Sequence, residues 1–231
     1  MVNNWPKIVQ RISREKFSCL LCQVTCSERL CSDCHKDLPW LGESCCENCS
    51  EPLVSGKICG SCIKSKPAFD HCLSLFHYSG TVEWMIKHLK FHHGLIHGAV
   101  LGKLMADFLP HREQFCRPDV ILPVPLHLSR LKSRGYNQAY ELARPIGRKL
   151  GVDISISAVE RVLATSEQSG LPSRLRRKNV ANAFKVKEDF SDMCVAIVDD
   201  VMTTGATVNA IAYELKKAKA QRVVVWSVAR S

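Results

Sequence analysis

The stretch Val195-Ala-Ile-Val-Asp-Asp-Val-Met-Thr-Thr-Gly-Ala-Thr207 decides how this chain is read. An apolar run of strand length delivers Asp199 and Asp200 at its C-terminal end, the edge where open α/β sheets place their ligands. The turn that follows opens a helix. It offers a ring of backbone N–H groups, the hydroxyls of Thr203, Thr204 and Thr207, and the positive end of the helix dipole. Those features suit one phosphate. Gly205 permits a close backbone approach where a Cβ would obstruct it. The two carboxylates repel phosphate, so they are placed for hydroxyl groups or for Mg²⁺. Phosphate beside vicinal hydroxyls describes a sugar phosphate.

Working outward, the pattern alternates between strand and helix. Residues 72–78 read as a strand, and Val82, Met85, Ile86 and Leu89 form a helical stripe ahead of a second helix over 99–109. A short buried strand at 119–123 leads into a basic loop reaching Gln138 and then a helix over 139–150. Residues 154–163 read as strand-like and 172–182 as a basic helix. The strand at 194–198 runs into the acidic pair. Val208, Ile211, Ala212 and Leu215 give the next helix its buried face, and 223–228 forms a closing strand. Such alternation implies an α/β fold with a parallel sheet. Upstream, Trp5, Ile8, Val9 and Ile12 recur at helical spacing among basic residues, an amphipathic helix that most simply packs on its own protein.

The chain has 231 residues, a formal charge of +10 and 13 cysteines. Ten of the cysteines fall between Cys19 and Cys62, eight of them in four CxxC pairs: Cys19 and Cys22, Cys31 and Cys34, Cys46 and Cys49, Cys59 and Cys62. Two residues between thiolates let one tight turn aim both sulfurs at a single tetrahedral ion. Successive pairing predicts two structural zinc sites, Cys19, Cys22, Cys31 and Cys34 at one and Cys46, Cys49, Cys59 and Cys62 at the other; a cross-braced pairing is the alternative. Cys26 and Cys45 are surplus. An all-thiolate shell leaves no position for water, so catalytic zinc is not expected. The boundary at Lys66-Pro67 divides the chain into an N-terminal helix with a double zinc ribbon, 1–66, and an α/β domain, 67–231. His88, His92, His93 and His97 are interrupted by Gly94 and lack an acidic companion, so a metal role is not assigned to them.

The positive excess is concentrated. Residues 126–150 hold six Lys and Arg against one Glu, and residues 161–187 hold seven against one. Such clusters suit phosphate or nucleic acid. No apolar run approaches membrane-spanning length, and the N-terminus lacks the apolar segment of a signal peptide. A cytoplasmic protein is expected, with peripheral contact at the inner membrane face as an option.

The segment 195–207 resembles the 5-phosphoribosyl-1-pyrophosphate (PRPP) motif of type I phosphoribosyltransferases. Over nearly its full length the chain looks like the ComF/GntX family of competence and DNA-utilisation proteins, through its paired CxxC units, Leu122-Pro-Val-Pro-Leu126, Arg130-Leu-Lys-Ser-Arg-Gly-Tyr-Asn-Gln138 and residues 168–184. The resemblance implies a type I phosphoribosyltransferase-like domain behind the zinc ribbons. It implies that Asp199 and Asp200 hold the ribose hydroxyls of Mg²⁺-PRPP, and that Thr203, Thr204, Gly205, Ala206 and Thr207 hold its 5′-phosphate. Val124 and Pro125 fall at the pyrophosphate loop, and Arg130, Lys132 and Arg134 near the loop that closes over the reaction. Gln168, Arg174, Arg177 and Asn179 match the family pattern without a role that their chemistry reveals. A part in DNA uptake is implied, with single-stranded DNA and a competence helicase or processing factor as partners. No acceptor-reading segment is recognisable, so whether PRPP is consumed stays open at this point, as does a zinc-ribbon adaptor.

Overall fold

In the computed structural model, residues 16–163 and 182–231 are described. The N-terminal segment expected to be amphipathic, the expected basic helix of 172–182 up to its last residue, and the positions Gln168, Arg174, Arg177 and Asn179 lie outside them.

The chain divides into two units, Met1–Leu38 and Pro39–Ser231. In the smaller, strands β1 (Phe17–Ser18) and β2 (Thr25–Cys26) pair antiparallel ahead of helix α1 (Ser32–Lys36). The Arg29 guanidinium covers the Phe17 ring at 4.4 Å.

The larger unit begins with helix α2 (Gly60–Lys64) and contains a five-stranded parallel sheet. Its strands are β3 (His71–His77), β4 (Val120–Pro123), β5 (Asp153–Ile154), β8 (Cys194–Met202) and β9 (Arg222–Arg230). Their order is β3-β9-β8-β4-β5, with every pairing parallel. The three inner strands β9, β8 and β4 are largely buried, because a strand with neighbours on both sides and layers on both faces meets little water. Helices α3 (Gly80–Phe91), α4 (Leu95–Phe108), α5 (Leu128–Arg134), α6 (Gln138–Leu150) and α7 (Ala206–Lys217) connect them. Strands β6 (Val159–Arg161) and β7 (Phe184–Val186) form a separate antiparallel pair.

Local chemistry sets the boundaries. Asn137 caps α6 by accepting the Ala139 N–H at 3.0 Å, and Gly151 ends it at φ +62°. At Gly102 α4 crosses close to α6: a Cβ there would lie 2.6 Å from the Leu142 carbonyl oxygen. Val120, Leu122, Val195, Ile197, Val223 and Val225 share one buried cluster with Val208, Ile211, Ala212 and Leu215 of α7. Cys46, Cys49, Cys59 and Cys62 belong to that same cluster, so the second cysteine group is part of the sheet's own core.

Three expectations change. The strand carrying the acidic pair does not stop at Val198: it continues to Met202, because β9 is long enough to pair with it through Asp199↔Ser227 and Met202↔Arg230. The basic loop after β4 contains α5, started by the His127 ring accepting the Ser129 N–H and ended by Gly135 at φ +82°. The strand-like run of 154–163 splits, because Ile154 pairs with β4 while Val159–Arg161 turns away to pair with β7. Among the described residues, no helix is long and apolar enough to cross a membrane.

Candidate functional site

Side chains alternate along a strand, so Asp199 and Asp200 point to opposite sides of β8. Asp200 is buried, 4% exposed, and its Oδ1 sits 2.7 Å from Nζ of Lys90, near the end of α3. Its other oxygen, Oδ2, is buried without a hydrogen-bond partner among the described residues. Asp199 is half-buried, and its Oδ1 accepts the Asp200 N–H at 2.9 Å. Burial and the Asp200 charge push the Asp199 carboxyl up to about 7, against the pull of Lys90. Lys90 itself is lowered by burial, but the Asp200 and Asp199 carboxylates outweigh that and hold its ammonium above the usual lysine range.

The 203–207 turn follows directly. Gly205 opens α7 at φ +71°, a conformation that favours glycine, whereas the Met202 methyl 2.9 Å from where a Cβ would sit is the end of a flexible chain that can move aside. No side chain caps this helix start. The exposed Thr203 and Thr204 stand beside it, and Thr204 Oγ1 accepts the Ala206 N–H at a long 3.4 Å. Thr207 is half-buried in the first turn.

Val124 and Pro125 follow directly on the end of the neighbouring strand β4. The Val124 N–H donates to the Val198 carbonyl at 2.9 Å, and Asn137 Nδ2 donates to the Val124 carbonyl at 3.0 Å. This pairing puts 124–125 beside the acidic pair. The basic residues of α5 split by environment. Lys132 is exposed and Arg130 half-buried, whereas Arg134 donates to Gln138 Oε1 at 2.6 Å and lies 5.6 Å over the Phe91 ring. The Tyr136 hydroxyl donates to the Leu89 carbonyl, so the α5 segment is fastened to the end of α3 that carries Lys90.

A cleft of about 780 Å³ runs from Thr203, Thr204 and Gly205 past Asn209 to Lys64 and Lys66. Arg230 ties its floor together. Its Nη1 donates to the Met202 carbonyl at 2.9 Å and to that of Thr203, its Nε donates to the Cys49 carbonyl at 3.2 Å, and Nη2 pairs with Glu51. One guanidinium thus joins the phosphate-type turn to the second cysteine group.

The cysteines gather in two sets of four, Cys19, Cys22, Cys31 and Cys34, then Cys46, Cys49, Cys59 and Cys62, with ligand atoms in each set within 4.8 Å of one another. This is the successive arrangement, not the cross-braced one. Backbone N–H groups point at the sulfurs: Cys31 to Cys19 Sγ at 3.4 Å, Cys59 to Cys46 Sγ at 3.3 Å. Burial raises the Cys19 thiol, but N–H groups of Cys22, Cys31 and Leu21 overcome it and bring it down to about 6. Burial pushes Cys62 up to about 12 and Cys49 higher still. Four crowded sulfurs that cannot all shed their protons unaided are the donor set a divalent soft cation would complete. Cys26 and Cys45 stand aside, donating to the carbonyls of Glu28 at 2.9 Å and Gly42 at 3.2 Å. His88 packs tilted and His97 edge-on against Trp84, at ring distances of 4.0 Å and 5.0 Å, an aromatic cluster and not a ligand set.

Sequence reasoning missed Lys90 and Arg230. For Lys90 a signal existed: it lies four residues after Ile86, on the buried stripe of α3, where an unpaired ammonium is not tolerated.

A family model described as a phosphoribosyl transferase domain matches residues 120–230. Competence protein F of Haemophilus influenzae is 34% identical over 227 residues, covering 93% of this chain and 97% of that protein. DNA utilization protein YhgH of Salmonella typhimurium is 33% identical over 192 residues, covering 81% and 85%. Among solved structures, adenine phosphoribosyltransferase from Leishmania tarentolae overlaps with a TM-score of 0.41 at 10% identity, covering 68% of this chain and 91% of that one.

Proposed function

The chain belongs to the ComF family of competence and DNA-utilisation proteins, and from that premise we propose that it acts in DNA uptake or utilisation with Mg²⁺-PRPP as its bound ligand. The observation that carries the ligand is the buried, unpartnered Oδ2 of Asp200 on the strand that runs straight into an uncapped helix start. A carboxylate in that position is expensive unless a donor or cation meets it. The ribose 2′- and 3′-hydroxyls supply donors, to Asp200 through Oδ2 and to Asp199 beside it.

In this reading Thr203, Thr204, Gly205, Ala206 and Thr207 hold the 5′-phosphate with N–H groups and hydroxyls. Val124 and Pro125 flank the pyrophosphate. Mg²⁺, when bound, neutralises the diphosphate. Lys90 orients Asp200 through their ion pair, and Arg130 and Lys132 contribute positive charge to the site. The two cysteine groups hold structural zinc. The exposed cations of α5 bind the phosphates of single-stranded DNA, with an affinity that falls as salt rises.

Calorimetric titration of zinc-loaded protein with Mg²⁺-PRPP tests this, beside an Asp199→Asn, Asp200→Asn double variant that preserves side-chain volume. Binding by the parent chain and none by a folded variant supports the site. No binding by the folded parent chain overturns it. Pyrophosphate release during the titration, with a panel of nitrogen nucleophiles, separates turnover from binding alone.

A further inference from the structure

At the edge of the sheet where β4 and β8 begin, Cys116 Sγ and Cys194 Sγ lie 3.3 Å apart. Seventy-eight positions along the chain separate them, and a reciprocal pair of hydrogen bonds through Asp119 holds them together. The Asp119 N–H donates to the Cys194 carbonyl at 2.8 Å, and the Cys194 N–H donates back to Asp119 Oδ2 at 2.7 Å. Both thiols are half-buried, within reach of a small oxidant. The other cysteines are differently engaged. Eight belong to the two four-sulfur groups, Cys26 and Cys45 donate to carbonyls, and Cys72 is buried against Met202 and Ser74.

We propose that Cys116 and Cys194 form a redox-active dithiol, with Cys116 the nucleophile toward hydroperoxides and Cys194 the resolving thiol. The environment polarises the pair in that direction. The hydrogen bond from Cys194 brings Cys116 down to about 7, against burial, with Arg222 assisting and Asp70 and Asp119 opposing. Giving that bond, together with burial, pushes Cys194 well up, so it keeps its proton. An available thiolate beside a protonated partner is the division of labour a reactive pair requires.

The chemistry balances without a cofactor. The Cys116 thiolate attacks one peroxide oxygen; an S–O bond forms, the O–O bond breaks, and the departing oxygen leaves as water after taking a proton from solvent. The resulting sulfenic acid is attacked by Cys194. The S–S bond forms, the S–O bond breaks, and the second water carries away the Cys194 proton. Two thiols lose two electrons and one hydroperoxide gains them. The product staples the 112–119 segment to the first residue of β8.

The test treats the zinc-loaded full chain with equimolar hydrogen peroxide, alkylates free thiols and maps tryptic peptides by mass spectrometry. The expected result is a cross-link between peptide 113–130 (the Arg117–Pro118 bond resists trypsin) and peptide 188–216, reversed by reductant. Cys194→Ser is expected to trap a dimedone-reactive sulfenic acid at Cys116, and Cys116→Ser to leave Cys194 unmodified. Recovery of both cysteines as separate alkylated peptides from the parent chain overturns the proposal even if neither variant folds. So does a cross-link from Cys116 to a cysteine other than Cys194. Equal sulfenic acid yields in the two variants overturn the assignment of the nucleophile.

Discussion

Lys90 Nζ and Asp200 Oδ1 meet at 2.7 Å across the boundary between α3 and β8, with side-chain exposures of 20% and 5%. The contact places a cation from one layer of the fold on the carboxylate that the sheet presents to its ligand. Asp199, one residue earlier, is pushed up to about 7 by burial and the Asp200 charge, against the pull of the same Lys90 ammonium. Replacing Lys90 by Met removes the cation and strands a buried carboxylate. Breaking a buried pair from one side costs roughly 3–5 kcal/mol, and the residual exposure of Lys90 places this case near the lower end. Urea denaturation is expected to show that loss, and adding Asp200→Asn should recover most of it. Unchanged stability in Lys90→Met would mean the two groups do not interact.

Asp199 makes stability depend on pH in a direction opposite to most carboxylates. Burial and Asp200 raise its folded value from 3.8 to about 7, so the folded chain binds this proton more tightly than the unfolded chain. Its contribution is fullest below pH 3.8, declines as pH climbs to about 7, and changes little above. Asp199→Asn removes the cost of ionisation. Its melting temperature is therefore expected to exceed that of the parent chain at pH 8, with the difference shrinking toward pH 5. A difference that is the same at both pH values refutes the assignment.

Arg230 joins two regions that the sequence separates widely, holding the Met202 and Thr203 carbonyls with one nitrogen and the Cys49 carbonyl and Glu51 with the others. Arg230→Lys keeps the charge but loses the fork. Hydrogen bonds from a charged donor are worth about 1.5–3 kcal/mol each, so losing one set loosens the 203–207 turn by about tenfold or more in ligand affinity. Calorimetry with Mg²⁺-PRPP reads the loss, and an unchanged Kd would remove Arg230 from the positioning of that turn.

The acidic pair, the phosphate-type turn and the four CxxC pairs could be read directly because each is local: adjacent residues or a spacing of three fix the geometry. The parallel sheet was equally legible, since buried strands such as 223–228 need no alternation to be recognised. Lys90, Arg230 and the Cys116–Cys194 contact were not, because their partners lie far along the chain and only the sheet order brings them together. The extension of β8 through Asp199 and Asp200 escaped for a related reason. Acidic residues have low strand propensity, and the ladder to β9 overrides it. Gly102 reads in sequence as a weak helix residue, whereas its role is the close approach of Leu142 and Pro145.

The two cysteine groups are expected to respond differently to loss of metal. Zinc-loaded protein should contain about two ions per chain, one per four-thiolate set. Cys46, Cys49, Cys59 and Cys62 lie in the same buried cluster as Val195, Val223 and Ile211, so an empty second site leaves crowded, protonated thiols inside the main core. Cys19, Cys22, Cys31 and Cys34 belong to the smaller unit, whose described elements β1, β2 and α1 are short. Cys59→Ser is therefore expected to lower the main thermal transition along with zinc content, whereas Cys22→Ser lowers zinc content to about one per chain and leaves that transition in place. Metal analysis with scanning calorimetry on both variants decides the matter. Equal depression of the main transition by the two substitutions would show that the first group supports the sheet as strongly as the second, against the division drawn from the shared core.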